Sequence, residues 1–271
     1  ENRSEYMHRP NSLYTRMELS LFSNELCSRQ FTRLRETPTA EMSYKEYTEK
    51  IGEITEDAQT YLANFNAHRP GISREEMVDH YTKWAKTYDE DLGNSGRYHG
   101  PKIAADAVAE EFPVGRDSVK ILDIGAGTGN FGKEAYKHGF RELHGIDPSA
   151  GMLECCQEKN IYRKLLCDFF ERDTPDLEND EYDCTVVAGT MGEGHLSCDC
   201  LYEMIRVIKP GGLVVIVMRK EYLDYVEEYK DRLEPLMDQL EAERKWQKLD
   251  KKIVPNYSFN KEGVLYKFRR E

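Results

Sequence analysis

Apolar residues change their spacing several times along this chain, and each change marks a different element. From 42 to 66, Tyr47, Ile51, Ile54, Ala58, Tyr61 and Phe65 recur at steps of three and four, which is one face of an amphipathic helix. A weaker helical pattern over roughly 12–35 carries Leu19, Phe22, Leu26 and Phe31. HRPG at 68–71 then breaks the chain, so residues 1–72 are expected to form an N-terminal helical extension. Ser73 and Glu76 have capping-box spacing at the start of the next helix. Met77, Tyr81, Trp84 and Tyr88 follow it at steps of four, three and four, the spacing of a stripe facing a core.

Beyond residue 119 short apolar runs alternate with helical stretches. The runs predict strands at 119–124, 142–147, 162–168, 182–189 and 212–218, with helices at about 130–138, 150–159 and 199–208. KPGG at 209–212 separates the last of these helices from its strand. The charged stretch 221–250 reads as one long helix bent near Pro235. KKIVPNYSF and GVLYKFRR read as two final strands joined by a turn at NKEG, close enough in sequence to run antiparallel. Strands alternating with helices form parallel sheets with right-handed crossovers. The expected fold is therefore α/β: a doubly wound, seven-stranded, mostly parallel sheet over 73–271 behind the helical extension.

Composition narrows the function classes. The chain has 271 residues, a formal charge of −12 and 32% charged residues. An acidic chain repels phosphate backbones, and its basic clusters are short, so nucleic acid is not an expected partner. The longest apolar run, LVVIVM at 213–218, is far short of the ~20 residues that cross a bilayer, so no membrane association is expected. The seven cysteines lack the paired C-x-x-C spacing of a zinc site. No metal is expected, and reduced thiols point to a cytoplasmic protein. The oligomeric state is not legible.

The chemistry concentrates in KILDIGAGTGNFG at 120–132. A phosphate loop requires Lys-Ser/Thr after its glycines, and none follows. The dinucleotide pattern G-x-G-x-x-G is met in one frame, GTGNFG from Gly127. The surroundings favour another ligand. Asp123 ends the first strand just before Gly125, Gly127 and Gly129, and a carboxylate there repels a pyrophosphate but attracts an ammonium. S-adenosylmethionine carries an ammonium and no phosphate. Asp147, 24 residues after Asp123 at the end of the second strand, can accept hydrogen bonds from ribose hydroxyls. Asp168 can accept one from an adenine amino group, and Phe169 can stack on that ring.

Together these motifs resemble the class I S-adenosylmethionine-dependent methyltransferases, over roughly 73–271. ILDIGAGTGNFG, LHGIDPSAGML, CDFF and RVIKPGGLVVIV are similar to that family's successive motifs. More narrowly, HYTKWAKTYDEDL, GFRELHGIDPSAGMLE and MIRVIKPGGLVVIVMR resemble the Williams–Beuren-region methyltransferase-like proteins. The resemblance implies S-adenosylmethionine as cofactor, and it adds Ala126, Pro148 and Met152 to the cofactor residues. It implies that Tyr81 and Tyr88 touch the methionine end while Trp84 packs in the core, and that Gly189 flanks the transfer site. Candidate catalytic residues are His195, Glu193 and Tyr98. No Asn/Asp-Pro-Pro-Tyr-like motif follows the fourth strand, where VVAGTMGE stands, which argues against methylation of adenine or glutamine nitrogen. A small-molecule acceptor is expected, with methylation at N, O or S. Protein methylation, a non-catalytic cofactor- or partner-binding protein and a nicotinamide-dependent oxidoreductase are the competing readings.

Overall fold

In a computed structural model of the chain, the structure describes residues 56–69, 71–94 and 96–271. The helix expected over 12–35, the first part of the one over 42–66, and Cys27 lie outside them. Contacts divide the chain after Gln59, and Thr60–Glu271 form one compact unit.

A helix α1 (Glu56–Ala67) precedes α2 (Arg74–Tyr88), a π-helical turn at Asp89–Asn94 and α3 (Gly100–Glu111). The alternating part then runs β1 (Lys120–Ile124), α4 (Asn130–Lys137), β2 (Glu142–Ile146), α5 (Ala150–Glu158) and β3 (Lys164–Leu166). It continues with β4 (Tyr182–Ala188), α6 (Cys200–Val207) and β5 (Ile208–Arg219). The short helices α7 (Tyr222–Tyr225) and α8 (Leu233–Ala242) lead to β6 (Trp246–Ser258) and β7 (Lys261–Arg270).

The seven strands form one sheet in the order β3-β2-β1-β4-β5-β7-β6. β1 pairs in parallel with both β2 and β4, while β7 is antiparallel to β5 and β6. Successive side chains of a strand point to opposite faces. Accordingly Leu122, Ile124, Val187 and Ile216 join a core on one face, and Ile121, Val186 and Val215 join a core on the other. Burial on both faces explains why the parallel strands read as unbroken apolar runs.

Two expectations are corrected at the C-terminal end. The stretch 221–250 is not one helix. It contains α7, α8 and the start of β6, with Asp231 and Arg244 at positive φ breaking the path. β6 is an edge strand whose exposed residues include Lys251 and Lys252 beside Leu249 and Ile253. Charge and Pro255 on an edge discourage pairing with another chain, and the same charge hides the strand pattern. The turn before β7 lies at Phe259 and Asn260, both with positive φ, rather than at NKEG. This two-residue form follows the twist of its flanking strands. β3 is also shorter than expected.

Trp246 anchors this end. It is fully buried, stacks on Phe268 at 4.1 Å between ring centroids and donates its Nε1–H to the Met237 carbonyl at 3.1 Å. Trp246→Ala is expected to cost about 3–5 kcal/mol of stability through the cavity it leaves, measured as a drop in the urea midpoint. A loss below 1 kcal/mol would contradict this anchoring role.

Candidate functional site

The strand order reverses beside β1: β2 and β3 lie on one side, β4 and β5 on the other. Open α/β sheets bind ligands in the crevice outside the strand ends at such a point. A cleft of about 850 Å³ opens there. Gly125 and Gly127 border it from the end of β1, and Asp147, Pro148 and Met152 from the end of β2. Asp168 and Phe169 border it beyond β3, and Gly189 and His195 beyond β4. Tyr81 and Tyr88 come from α2.

The glycine loop needs its glycines. Gly125 has φ +73 and a side chain there would collide with Thr190, while Gly129, at φ +89, closes against Cys156 and Tyr162. Gly129 caps α4 in a left-handed conformation and does not line the cleft. The loop is tied to β2 by the Gly125 and Ala126 N–H groups, which donate to the Ile146 carbonyl at 2.8 and 3.1 Å. Asp147 accepts from the Gly127 N–H at 2.9 Å and from the Ser149 N–H at 2.8 Å. Burial nevertheless raises its carboxyl to about 6, against those two donors.

Asp123 is 2% exposed and accepts from the Tyr162 hydroxyl at 2.5 Å. Burial lifts its pKa to about 7, with the Tyr162 hydrogen bond opposing and the charge of Asp147 adding to the rise. Together with Ala126 it borders a smaller recess that shares Tyr88, Gly125, Gly127 and Ala188 with the cleft lining. Neither aspartate has an ion-pair partner among the described residues.

Helix α2 roofs the cleft and is fastened at both ends. Its capping box is formed, with Ser73 Oγ accepting from the Glu76 N–H at 3.1 Å. Thr82 and Ser149 hydroxyls bond at 2.8 Å. At the far end Asp89 accepts from Thr128 at 2.5 Å, Asn130 at 2.8 Å and Lys159 at 2.6 Å. Trp84 is buried and donates to Asp91 at 2.6 Å. The Arg74 guanidinium lies 5.0 Å from the centroid of the Phe169 ring.

A second, partly open cavity shares Tyr81, Tyr88 and Gly189 with the cleft. Tyr98 enters it and donates its hydroxyl to the Ala188 carbonyl at 2.8 Å. Tyr88 borders all three spaces. Between them stands a pair of stacked imidazoles, His68 and His195, with centroids 4.3 Å apart. His195 Nδ1 lies 2.7 Å from the Glu193 carbonyl, and Nε2 lies 3.0 Å from the Tyr81 hydroxyl. The carbonyl can only accept, so Nδ1 carries the proton and Tyr81 donates to Nε2. Burial lowers His195 to about 4 and holds His68 well below the usual histidine range, with His195 and Arg219 adding to the latter shift. Both rings are therefore neutral at pH 7. The Glu193 carboxylate lines none of these spaces and takes the Gly71 N–H at 3.4 Å.

Residues 121–212 match a family model described as a methyltransferase domain. Methyltransferase-like protein 27 of Homo sapiens is 35% identical over 170 residues, which is 62% of this chain and 67% of that protein. The chain belongs to the class I S-adenosylmethionine-dependent methyltransferases. An uncharacterized methyltransferase of Oceanobacillus iheyensis is 28% identical over 146 residues, covering 52% of this chain and 65% of that one. Among solved structures, a Burkholderia thailandensis 1,6-didemethyltoxoflavin-N1-methyltransferase with bound S-adenosylhomocysteine shares the fold. It has a TM-score of 0.52 at 13% identity, over 74% of this chain and 92% of that one. The family's cofactor is S-adenosylmethionine, and the site suits it: a cation-bearing ligand meets buried carboxylates that lack a protein cation.

Several site residues were invisible beforehand. Asp89, Ser149 and Arg219 stand inside the stretches that carry the resemblance, but nothing in those stretches shows their contacts, and Tyr162 and His68 come from segments outside them. Tyr162→Phe removes the one hydroxyl that donates to Asp123 among the described residues and is expected to cost about 1–3 kcal/mol at pH 8. The loss should shrink at pH 5, where the Asp123 carboxyl, raised to about 7, is protonated. Urea denaturation at both pH values checks this; equal losses would contradict it.

Proposed function

We propose that this protein is an enzyme that transfers the methyl group of S-adenosylmethionine to an N, O or S atom of a small-molecule acceptor. The observation that carries the reading is the meeting of three spaces at Tyr88: the main cleft, the recess beside Asp123 and the second cavity. The main cleft takes the nucleoside. Asp147, held by two backbone donors, keeps further lone pairs for the ribose hydroxyls, and Asp168 and Phe169 face the adenine. The recess takes the amino-acid end, with the Asp123 carboxylate balancing its ammonium. The second cavity takes the acceptor.

S-adenosylmethionine supplies a methyl group already activated by its sulfonium. The protein's task is to hold the acceptor in line and to keep water out. Tyr81, Tyr88 and Gly189 stand where the cofactor and acceptor spaces join, and Tyr98 walls the acceptor side. Because Tyr81 donates to His195, its oxygen keeps lone pairs that can accept a hydrogen bond from the acceptor and orient it. His195 thus acts through Tyr81, and Glu193 contributes its carbonyl as the anchor of the imidazole.

Calorimetric titration tests the reading. S-adenosylmethionine should bind and NADH should give no response, and Asp147→Ala should weaken binding by roughly 1–3 kcal/mol. Unchanged affinity in Asp147→Ala would contradict the ribose placement. A cationic ligand favours ionised carboxylates, whose ordinary values near 4 are raised to about 7 at Asp123 and about 6 at Asp147. Binding must therefore release protons, and affinity should fall toward acid by up to about tenfold per pH unit and per protonated carboxylate. Affinity independent of pH between 5 and 8 would contradict this pairing.

A further inference from the structure

Resting on the assignment of the second cavity to the acceptor, we propose that this cavity selects acceptors bearing an acidic group, a carboxylate or a phosphate monoester. Arg219 would be the cation that determines this specificity.

Arg219 closes β5 and is 6% exposed, with its guanidinium bordering the cavity. It is the one formally charged residue among those lining that space. The neighbouring His68 is held neutral by burial and adds no charge. The protein satisfies this guanidinium incompletely. Nη1 reaches Glu221 at 3.3 Å, and Nη2 reaches Asn64 at 3.3 Å and Ser258 at 3.1 Å. Charge-assisted bonds of this type ordinarily run 2.7–2.9 Å. The Nε–H has no acceptor among the described residues. Glu221 is also shared, since Lys261 approaches its other oxygen at 3.5 Å. The buried guanidinium thus keeps long bonds and an unpartnered donor, and a buried charge without full pairing is costly unless a ligand completes it.

The rest of the cavity describes the body of that ligand. Tyr88, Tyr98 and Tyr257 give it aromatic walls, with Leu92 and Met191 beside them. These rings leave room for a flat body, while Asn64, His68, Ser258 and Arg219 make much of the lining polar, which suits a ligand carrying its charge at one end. Arg219 is then a binding residue for the acceptor and lies outside the nucleoside cleft.

The test uses the full chain saturated with S-adenosylhomocysteine, at matched ionic strength, with melting temperature as readout. Four probes are compared: benzoate, phenyl phosphate, and their neutral counterparts benzamide and phenol. At least one acidic probe should raise the melting temperature by several degrees while its neutral counterpart does not. A response to benzoate alone identifies a carboxylate site, and a response to phenyl phosphate alone identifies a phosphate site. Arg219→Gln should abolish the shift and Arg219→Lys should retain part of it, both keeping S-adenosylhomocysteine affinity within about twofold. Should the variants fail to fold, the wild-type acid–neutral comparison decides alone. Equal responses to acid and neutral probes, no response to any probe, or an undiminished shift in a folded Arg219→Gln would overturn the proposal. Failure of the wild-type protein to bind S-adenosylhomocysteine would overturn the cofactor placement beneath it.

Discussion

Two carboxylates, the buried Asp123 and the half-buried Asp147, stand at the ends of neighbouring strands without an ion-pair partner among the described residues. Their pKa values rise to about 7 and about 6 for that reason. A fold that keeps such a pair gives up stability near neutral pH, because charge that was solvated in the unfolded chain becomes buried. A ligand with a sulfonium and an ammonium reverses that cost. The glycine loop, the strand register and the Tyr162 and Gly127 donors all serve to hold these two groups in place.

The roof depends on the same arrangement. Helix α2 would be a half-exposed amphipathic helix if it packed only through Met77 and Trp84. Thr82 fastens it to the cap of α5, and Asp89 fastens its far end to the glycine loop and Lys159. Tyr81 and Tyr88 are thereby fixed over the strand ends, where they line both the main cleft and the second cavity. Gly151 matters here too: a side chain on it would press into Thr82, so its absence lets α5 and α2 approach.

Much of this was legible in the chain because it rests on local patterns. The parallel strands are unbroken apolar runs bounded by glycine and polar residues, and Asp147 and Asp168 stand just past such runs. The capping box and the three glycines have fixed spacings. What was not legible arises from distance or from conflicting local signals. Tyr162 reaches Asp123 across 39 positions, and His68 meets His195 from the turn after a helix that reads as part of a separate extension. Arg219 looks like the polar end of an apolar strand, and only the packing of Asn64 and Ser258 around it shows its burial. The lysines of β6 answer the needs of an exposed edge and mask its strand character.

The most direct test of the account is a crystal structure of the protein with S-adenosylhomocysteine. The adenine should lie against Phe169, the ribose hydroxyls should be within hydrogen-bond distance of Asp147, and the sulfur should sit beside Tyr88 where the spaces join. A ligand whose ribose is out of reach of Asp147, or whose sulfur faces away from the second cavity, would contradict it.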